Sequence, residues 1–474
     1  MTTSSPPFPS FVLLLLVLLA LTVNANGETR SHHKVNISSL LPRKVCSNSK
    51  DVISDVTRLR LVHRHGPCSP AMRRRQSDFH AEILARDQLR VGFLRQRIAA
   101  AELGGGGGTS PASAGAAPST KIPARSGESV SAGDYIVTVG LGTPPTAQTL
   151  FVDTGSDVTW VQCRPCAISC HRQLDQLFAP ASSATYANVT CASAACADLD
   201  VSGCSGGTCL YGVAYGDGSQ SVGFYSSDAL ALTPADVVPR FLFGCGQDNE
   251  GLFGRAAGIL GLGGGRPSLV AQTMNKYNGV FGYCLPASAS DAGYLAFGKS
   301  GITNPTVKYT NMLTDAKTPT FYFLNLTGIS VSGQRLSILP AVFAKAGTLI
   351  DSGTVITRLP PAAYTSLRSA FRQGMSRYKN KRAPAVSILD TCYDPTGRGE
   401  LKLPAVALQF AGDVSVNLAP EGIVYAVNRS RICLAFAAND GDGDVGILGN
   451  VQQRTFGVIY DVPKKVIGFA AGGC

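Results

Sequence analysis

From about residue 135 onward, apolar residues come in short runs set between polar ones: YIVTVGLG, TLFVDTG, VTWVQC, FYFLNLTGISV and FGVIYDV. The runs are rich in β-branched and aromatic residues and are separated by Gly, Pro, Asn and Asp, which predicts strands joined by tight turns. Helical periodicity is rare there, the best stretch being 362–375. The first 125 residues read differently. Residues 11–23 (FVLLLLVLLALTV) form an apolar run of 13. A membrane-spanning helix takes about 20 residues, so this run predicts the core of a secretory signal, with Val23-Asn24-Ala25 offering cleavage after Ala25. It departs from the usual pattern in having no Lys or Arg before it. Residues 27–103 mix basic runs with a helical stretch over 79–103, and Gly104 to Gly108 followed by TSPASAGAAPST reads as a flexible linker. A processing boundary is expected at the linker. Arg73-Arg74-Arg75 is a solvated charge run, with a convertase site as its alternative.

Composition sharpens this division. The chain has 474 residues, 45% hydrophobic and only 15% charged, with 52 Gly and 27 Pro. That length exceeds a usual single domain, and the low charge fits glycine-punctuated β structure rather than disorder or coiled coil. The formal charge of +11 points to a polyanion partner only until it is placed. Residues 27–125 hold 17 Lys and Arg against 7 Asp and Glu, and residues 126–474 hold 25 against 24. The body is therefore near neutral, and a nucleic-acid partner is not expected for it.

Export gives the cysteines a role. Cys46 and Cys68 lie in the basic segment. Cys163, Cys166, Cys170, Cys191, Cys196, Cys204, Cys209, Cys245, Cys284, Cys392, Cys433 and Cys474 lie in the body, and twelve cysteines in an oxidising compartment predict up to six disulfides. Connectivity is not legible, although Cys392 and Cys433 look like a pair closing a loop. Zinc is the rival for Cys163-x-x-Cys166 and Cys204-x4-Cys209, but only His171 lies nearby, so no metal and no cofactor are expected. Asn36, Asn188, Asn325 and Asn428 sit in N-x-S/T sequons and are candidate glycosylation sites.

An internal repeat carries the chemistry. Val152-Asp153-Thr154-Gly155-Ser156 recurs as Ile350-Asp351-Ser352-Gly353-Thr354, an apolar strand ending in Asp, hydroxyl residue, Gly, hydroxyl residue. Each copy is followed by a second element, Gly258-Ile259-Leu260-Gly261 and Gly446-Ile447-Leu448-Gly449, 105 and 95 residues after its aspartate. Two ordered elements occurring twice predict two similar β lobes, each contributing one aspartate. Two carboxylates at hydrogen-bond distance share a proton. The ionised one can then act as general base on a water while the protonated one polarises a carbonyl. Gly155 and Gly353 allow tight turns that turn N–H groups toward the carboxylates. Ser156 and Thr354 offer hydroxyls to the outer oxygens, and Thr154 and Ser352 can lock the two turns together.

With these motifs the chain resembles the pepsin-type aspartic endopeptidases, most closely the plant nepenthesin-like and chloroplast-nucleoid-protease-like branch, over residues 130–474. The resemblance implies an all-β bilobal fold, two β-barrel-like lobes with the active-site cleft between them. Catalysis falls to Asp153 and Asp351. Trp160, the only Trp, stands seven residues after Asp153, where the family has the tryptophan that hydrogen-bonds the flap tyrosine. Ala214-Tyr215-Gly216-Asp217-Gly218-Ser219 resembles the flap hairpin, which makes Tyr215 the flap tyrosine and places Gly216 and Asp217 at the substrate cleft. The cysteine-rich stretch 163–209 resembles the insertion of nepenthesin-like members. One departure is visible: Ser352 stands where the commonest pattern has Thr, keeping the hydroxyl and losing a methyl.

The implied organisation is a signal peptide over 1–25, a basic propeptide and linker over 26–125, an N-terminal lobe over 126–310 and a C-terminal lobe over 311–474. The family's propeptides lie over the cleft, where a Lys or Arg pairs with the ionised aspartates until acid protonates them. Which base does so here is not legible. A leader that merely assists folding is the alternative. The expected product is a secreted monomer without membrane anchor, with vacuole and plastid as other destinations, acting on peptides and held by its own propeptide. Two rival functions are a protease-like binding or inhibitor protein without activity and a nucleic-acid-binding homologue. Other motifs read as loops: Gly203-Cys204-Ser205-Gly206-Gly207 lacks the strand of a serine-hydrolase elbow, the glycines at 261–265 lack phosphate-loop spacing, and Asp440, Asp442 and Asp444 lack the Gly and Glu of a calcium loop.

Overall fold

Alternation of apolar and polar positions is what the strands use. In Arg58–His63, Leu59 and Leu61 point into the main core while Arg58 and Arg60 point away from it. This strand belongs to the basic N-terminal segment, yet it lies inside the central sheet, antiparallel to Ala292–Phe297 on one side and to Tyr135–Leu141 on the other. The sequence had not marked it as a strand. The computed structural model describes residues 31–47, 58–70, 79–102, 134–215, 218–251, 253–299, 306–397 and 400–472. The apolar run at 11–23, the Arg73–Arg75 run and the glycine linker lie outside the described residues.

The central sheet continues from Ala292–Phe297 through Val280–Cys284, Phe456–Asp461 and Val466–Ala471 to Val307–Leu313. It underlies both halves of the chain, and Phe281 stacks on Tyr460 within it at 4.4 Å between ring centroids. Above it, each half builds the same four-part unit. Thr146–Asp153 runs parallel to Gly258–Gly261, which pairs antiparallel with Trp160–Gln162, which runs parallel to Asp236–Glu250. In the second half Thr348–Ile350 runs parallel to Gly446–Leu448, which meets Thr357–Leu359 through Arg358 and Ile447, and Thr357–Leu359 runs parallel to Phe436–Ala438. The two repeated sequence elements are thus partner strands in each copy. Both lobes are β structure, as the repeat predicts, and the fold is the bilobal pepsin-like one.

The helix expected at 362–375 is Pro361–Gly374, burying Ala363, Tyr364, Leu367 and Phe371 along one face. Its start fits Pro at N1. Six disulfides are described: Cys46–Cys68, Cys163–Cys245, Cys166–Cys170, Cys191–Cys204, Cys196–Cys209 and Cys392–Cys433. The last is the pair the sequence singled out. Cys284 is disulfide-bonded as well, while Cys474 lies outside the described residues. Cys191–Cys204 and Cys196–Cys209 close the insertion against its own hairpin Ser202–Ser205 and Thr208–Ala214, so the serine-elbow look-alike is half of a disulfide-bound hairpin. Of the sequon asparagines, Asn36, Asn188 and Asn428 are exposed and Asn325 is half-buried.

Candidate active site

Asp153 ends its strand and Asp351 directly follows Thr348–Ile350, so each carboxylate leaves a parallel pair of strands at the same height. The turns then hold the carboxylates by the same bonds. Gly155 N donates to Asp153 Oδ1 at 3.0 Å and Gly353 N to Asp351 Oδ1 at 3.2 Å. Ser156 Oγ donates to Asp153 Oδ2 at 2.7 Å, and Thr354 Oγ1 to Asp351 Oδ2 at 2.6 Å. Between the lobes, Ser352 N donates to Thr154 Oγ1 at 2.9 Å and Thr154 N to Ser352 Oγ at 3.3 Å. The Ser352 hydroxyl therefore makes the reciprocal lock without the methyl. Asp153 and Asp351 are 2% and 0% exposed.

Two supports were not legible in the motifs. Gln453 Nε2 donates to the Asp351 and Leu448 carbonyls, and Asn450 Nδ2 to the Ser352 carbonyl. Both follow the second GILG element, where three amides within four residues (Asn450, Gln452, Gln453) were the available signal.

Trp160 Nε1 donates to the Tyr215 hydroxyl at 2.7 Å, with Phe253 packed edge-on to the indole. Gly216 and Asp217, expected at the cleft, lie outside the described residues. We expect Trp160→Phe, which removes that donor, to lower kcat/KM about tenfold, the value of one buried hydrogen bond. Steady-state kinetics of the variant, compared at matched folded fraction, checks this, and unchanged kcat/KM would dismiss a positioning role for Trp160.

A third charge completes the site, and it comes from the basic N-terminal segment. The helix Phe79–Glu102 lies across both lobes. Ile83 and Leu84 pack among Val355, Ile356 and Tyr425, while Val91 and Leu94 pack among Phe321, Leu349 and Ile447. Between these contacts Arg90 reaches the dyad. Its Nη2 lies 2.5 Å from Asp153 Oδ1 and 2.8 Å from Asp351 Oδ1, and its Nε lies 2.7 Å from Asp351 Oδ2. One turn earlier, Asp87 accepts from Val355 N and Ile356 N and pairs at 2.8 Å with the buried Arg358. A Cβ on Gly353 would stand 2.3 Å from Arg90 Nη2, so the close approach of the guanidinium requires glycine there. Burial alone would raise the Asp351 carboxyl. The Arg90 charge and hydrogen bonds, with those from Thr354 and Gly353, outweigh it and hold that carboxyl below its ordinary value. Arg90 itself is held above its ordinary value, because the two aspartates outweigh its desolvation.

The family models described as Xylanase inhibitor N-terminal and Xylanase inhibitor C-terminal match residues 135–299 and 321–471. Over 475 residues the chain is 42% identical to an aspartyl protease family protein of Arabidopsis thaliana, covering 98% of each chain. It is 41% identical to the Aspartyl protease AED1 of the same plant, over 98% of this chain and 99% of that one. Aspartic proteinase nepenthesin-2 of Nepenthes gracilis is 33% identical over 356 residues, covering 72% of this chain and 78% of its own. The crystal structures of soybean basic 7S globulin and lupine conglutin gamma superpose with TM-scores of 0.57 and 0.58 at 20% and 22% identity. They cover 71% and 72% of this chain and 92% and 93% of theirs, a likeness of fold alone.

Proposed function

The chain belongs to the pepsin-type aspartic proteases, the aspartic endopeptidases, and from that membership we propose that it is made as a secreted zymogen whose Asp153–Asp351 dyad hydrolyses peptide bonds once Arg90 is withdrawn. The observation that carries this reading is one guanidinium bonded to both carboxylates at the meeting of two equivalent turns. With the leader gone, the carboxylates face each other alone and share a proton. The ionised one takes a proton from a water, and the water oxygen attacks the scissile carbonyl while the protonated one donates to the carbonyl oxygen. The resulting tetrahedral adduct collapses as the C–N bond breaks, the proton taken from water passing to the leaving nitrogen. The space over the dyad, now held by Phe79–Glu102, suits an extended peptide with bulky apolar residues about the scissile bond, as in the family.

A binding protein without activity is favoured by the names of the matching family models, but the intact dyad and its hydrogen bonds support catalysis. The test is to take purified full-length protein stepwise from pH 7 to pH 3, following chain mass and cleavage of a quenched apolar peptide. Loss of leader mass with rising cleavage supports the reading. A folded protein that cuts nothing, even after an activating protease is supplied, overturns it in favour of binding.

The leader strand supplies a reason for acid to act before the dyad is protonated. His65 N donates to His63 Nδ1, and Arg64 Nε donates to His65 Nε2 at 2.7 Å, so both rings accept hydrogen bonds and are neutral when docked. His63 is buried against Tyr135, with Asp134 Oδ2 at 3.9 Å and with Arg64, Arg454 and His80 also facing it. Burial lowers it to about 4, Asp134 opposes this, and Arg454, Arg64 and His80 add to it. A histidine lowered in the docked state leaves docking at full strength above its ordinary value of about 6.5. Docking then weakens as pH falls and levels off below about 4, a loss of about 3 kcal/mol if His63 is freed with the leader. We expect His63→Gln, which keeps an acceptor but does not titrate, to move the pH of half-release down by about one unit. Release at the wild-type pH would remove His63 from the mechanism.

A further inference from the structure

Beside the blocked dyad the cleft keeps a cavity of about 270 Å³. Asp153 and Tyr215 border it, and Val158, Leu199, Val201 and Val213 give it an apolar wall. Asp200 stands at its rim with its side chain 78% exposed. Asp198 nearby is already paired with Arg266, so among the described residues the ion-pair partner of Asp200 is Arg97 of the leader. Arg97 Nη2 donates to Asp200 Oδ2 at 2.9 Å, and its guanidinium lies 5.3 Å from the centre of the Phe321 ring on the opposite lobe. Arg97 follows Arg90 by about two helical turns, and both line the same cavity.

The leader thus places a cation where a substrate residue next to the scissile bond would lie. When the leader leaves, the apolar wall and the rim carboxylate remain as a pair. A Lys or Arg side chain satisfies both at once, its methylene stem on the valines and leucine and its head at the carboxylate. On the peptidase reading above, we propose that Asp200 is a specificity-determining residue that makes this pocket a subsite for lysine or arginine of the substrate. A second carboxylate rim exists on the other lobe, where Arg95 donates to Asp440 Oδ2 and Asn439 Oδ1, both at 2.7 Å, but the cavity beside the dyad does not include it.

The test uses the full-length protein, acid-activated and then assayed at pH 5. Quenched peptides carry Lys, Arg, norleucine or Glu at each position flanking one apolar scissile bond. At one position Lys and Arg are expected to exceed norleucine in kcat/KM by roughly fivefold to tenfold, the worth of a partly exposed charge-assisted bond, with Glu lowest. Asp200→Asn then brings Lys and Arg to within about twofold of the norleucine peptide cut by the same variant, whereas Asp440→Asn keeps the preference. Equal cleavage of Lys and norleucine at every position, or a preference that survives in Asp200→Asn, overturns the subsite while leaving the peptidase. No cleavage of any peptide by the wild type overturns the peptidase reading and the subsite with it.

Discussion

Replacing either Asp153 or Asp351 with asparagine is expected to lower peptide hydrolysis by at least about a thousandfold, with the double replacement no worse than either single one. The amide fits the same space and its oxygen still accepts one of the two bonds that Gly155 and Ser156, or Gly353 and Thr354, now give the carboxylate, while its nitrogen cannot accept the other. What it cannot do is hold or release the shared proton. In the proposed cycle one carboxylate takes a proton from water while the other gives one to the carbonyl, so losing either ends the cycle, and losing both ends nothing further. Active-site chemistry and folding are separable here, because an isosteric amide in the leader-free enzyme also removes a like-charge contact. The check is kcat/KM for a quenched apolar peptide together with the thermal midpoint of each activated variant. A single variant that keeps more than about a tenth of wild-type activity would sink the two-carboxylate mechanism.

The dyad was legible because the chain says it twice. Asp153 and Asp351 repeat with their glycines and hydroxyls, and each is followed by a Gly-Ile-Leu-Gly element that proves to be its parallel neighbour in the sheet. Trp160 and Tyr215 were legible by resemblance, and the structure joins them by one hydrogen bond. Local pairing showed in the spacing of Cys392 and Cys433, which face each other across adjacent strands. Cys163 and Cys245 did not, because parallel strands distant in sequence bring them together. The leader hid most. Its helix sets Ile83, Leu84, Asp87, Arg90, Val91 and Leu94 on one buried stripe, and the two charges in the middle of that stripe blur its apolar pattern. Nothing in the sequence separates Arg90 from the other basic residues of that segment, since its role is defined by two carboxylates 63 and 261 residues away. Arg58–His63 was obscured for a related reason: its partners are strands of the body, and its arginines disguise an alternating pattern.

Arg90→Gln is expected to break latency. Arg90 and both aspartates are buried, and removing one partner of a buried ionic cluster costs about 3–5 kcal/mol, because the remaining charges lose their compensation. That loss falls on the docked state alone, since in the released enzyme the dyad is free of the leader. It also changes the pH dependence. Asp351 is held below its ordinary value by Arg90, so the docked state binds fewer protons than the released one. The pairing therefore stabilises docking fully above the ordinary carboxylate range and loses that contribution as pH falls through and below about 4. Without the guanidinium this contribution is missing even at neutral pH, and what remains against release is the apolar packing of the helix, the Asp87–Arg358 pair, the Arg95 and Arg97 contacts and the strand Arg58–His63 in the central sheet. We expect the glutamine variant to lose its leader near neutral pH, at least one unit above the wild type, and adding Asp351→Asn to the variant to stop self-processing while leaving release itself. Chain mass and size-exclusion profile across a pH series read the two events separately. A variant that holds its leader to the same pH as the wild type would show that the other contacts of the helix and of the strand Arg58–His63, rather than the guanidinium between the aspartates, keep the enzyme closed.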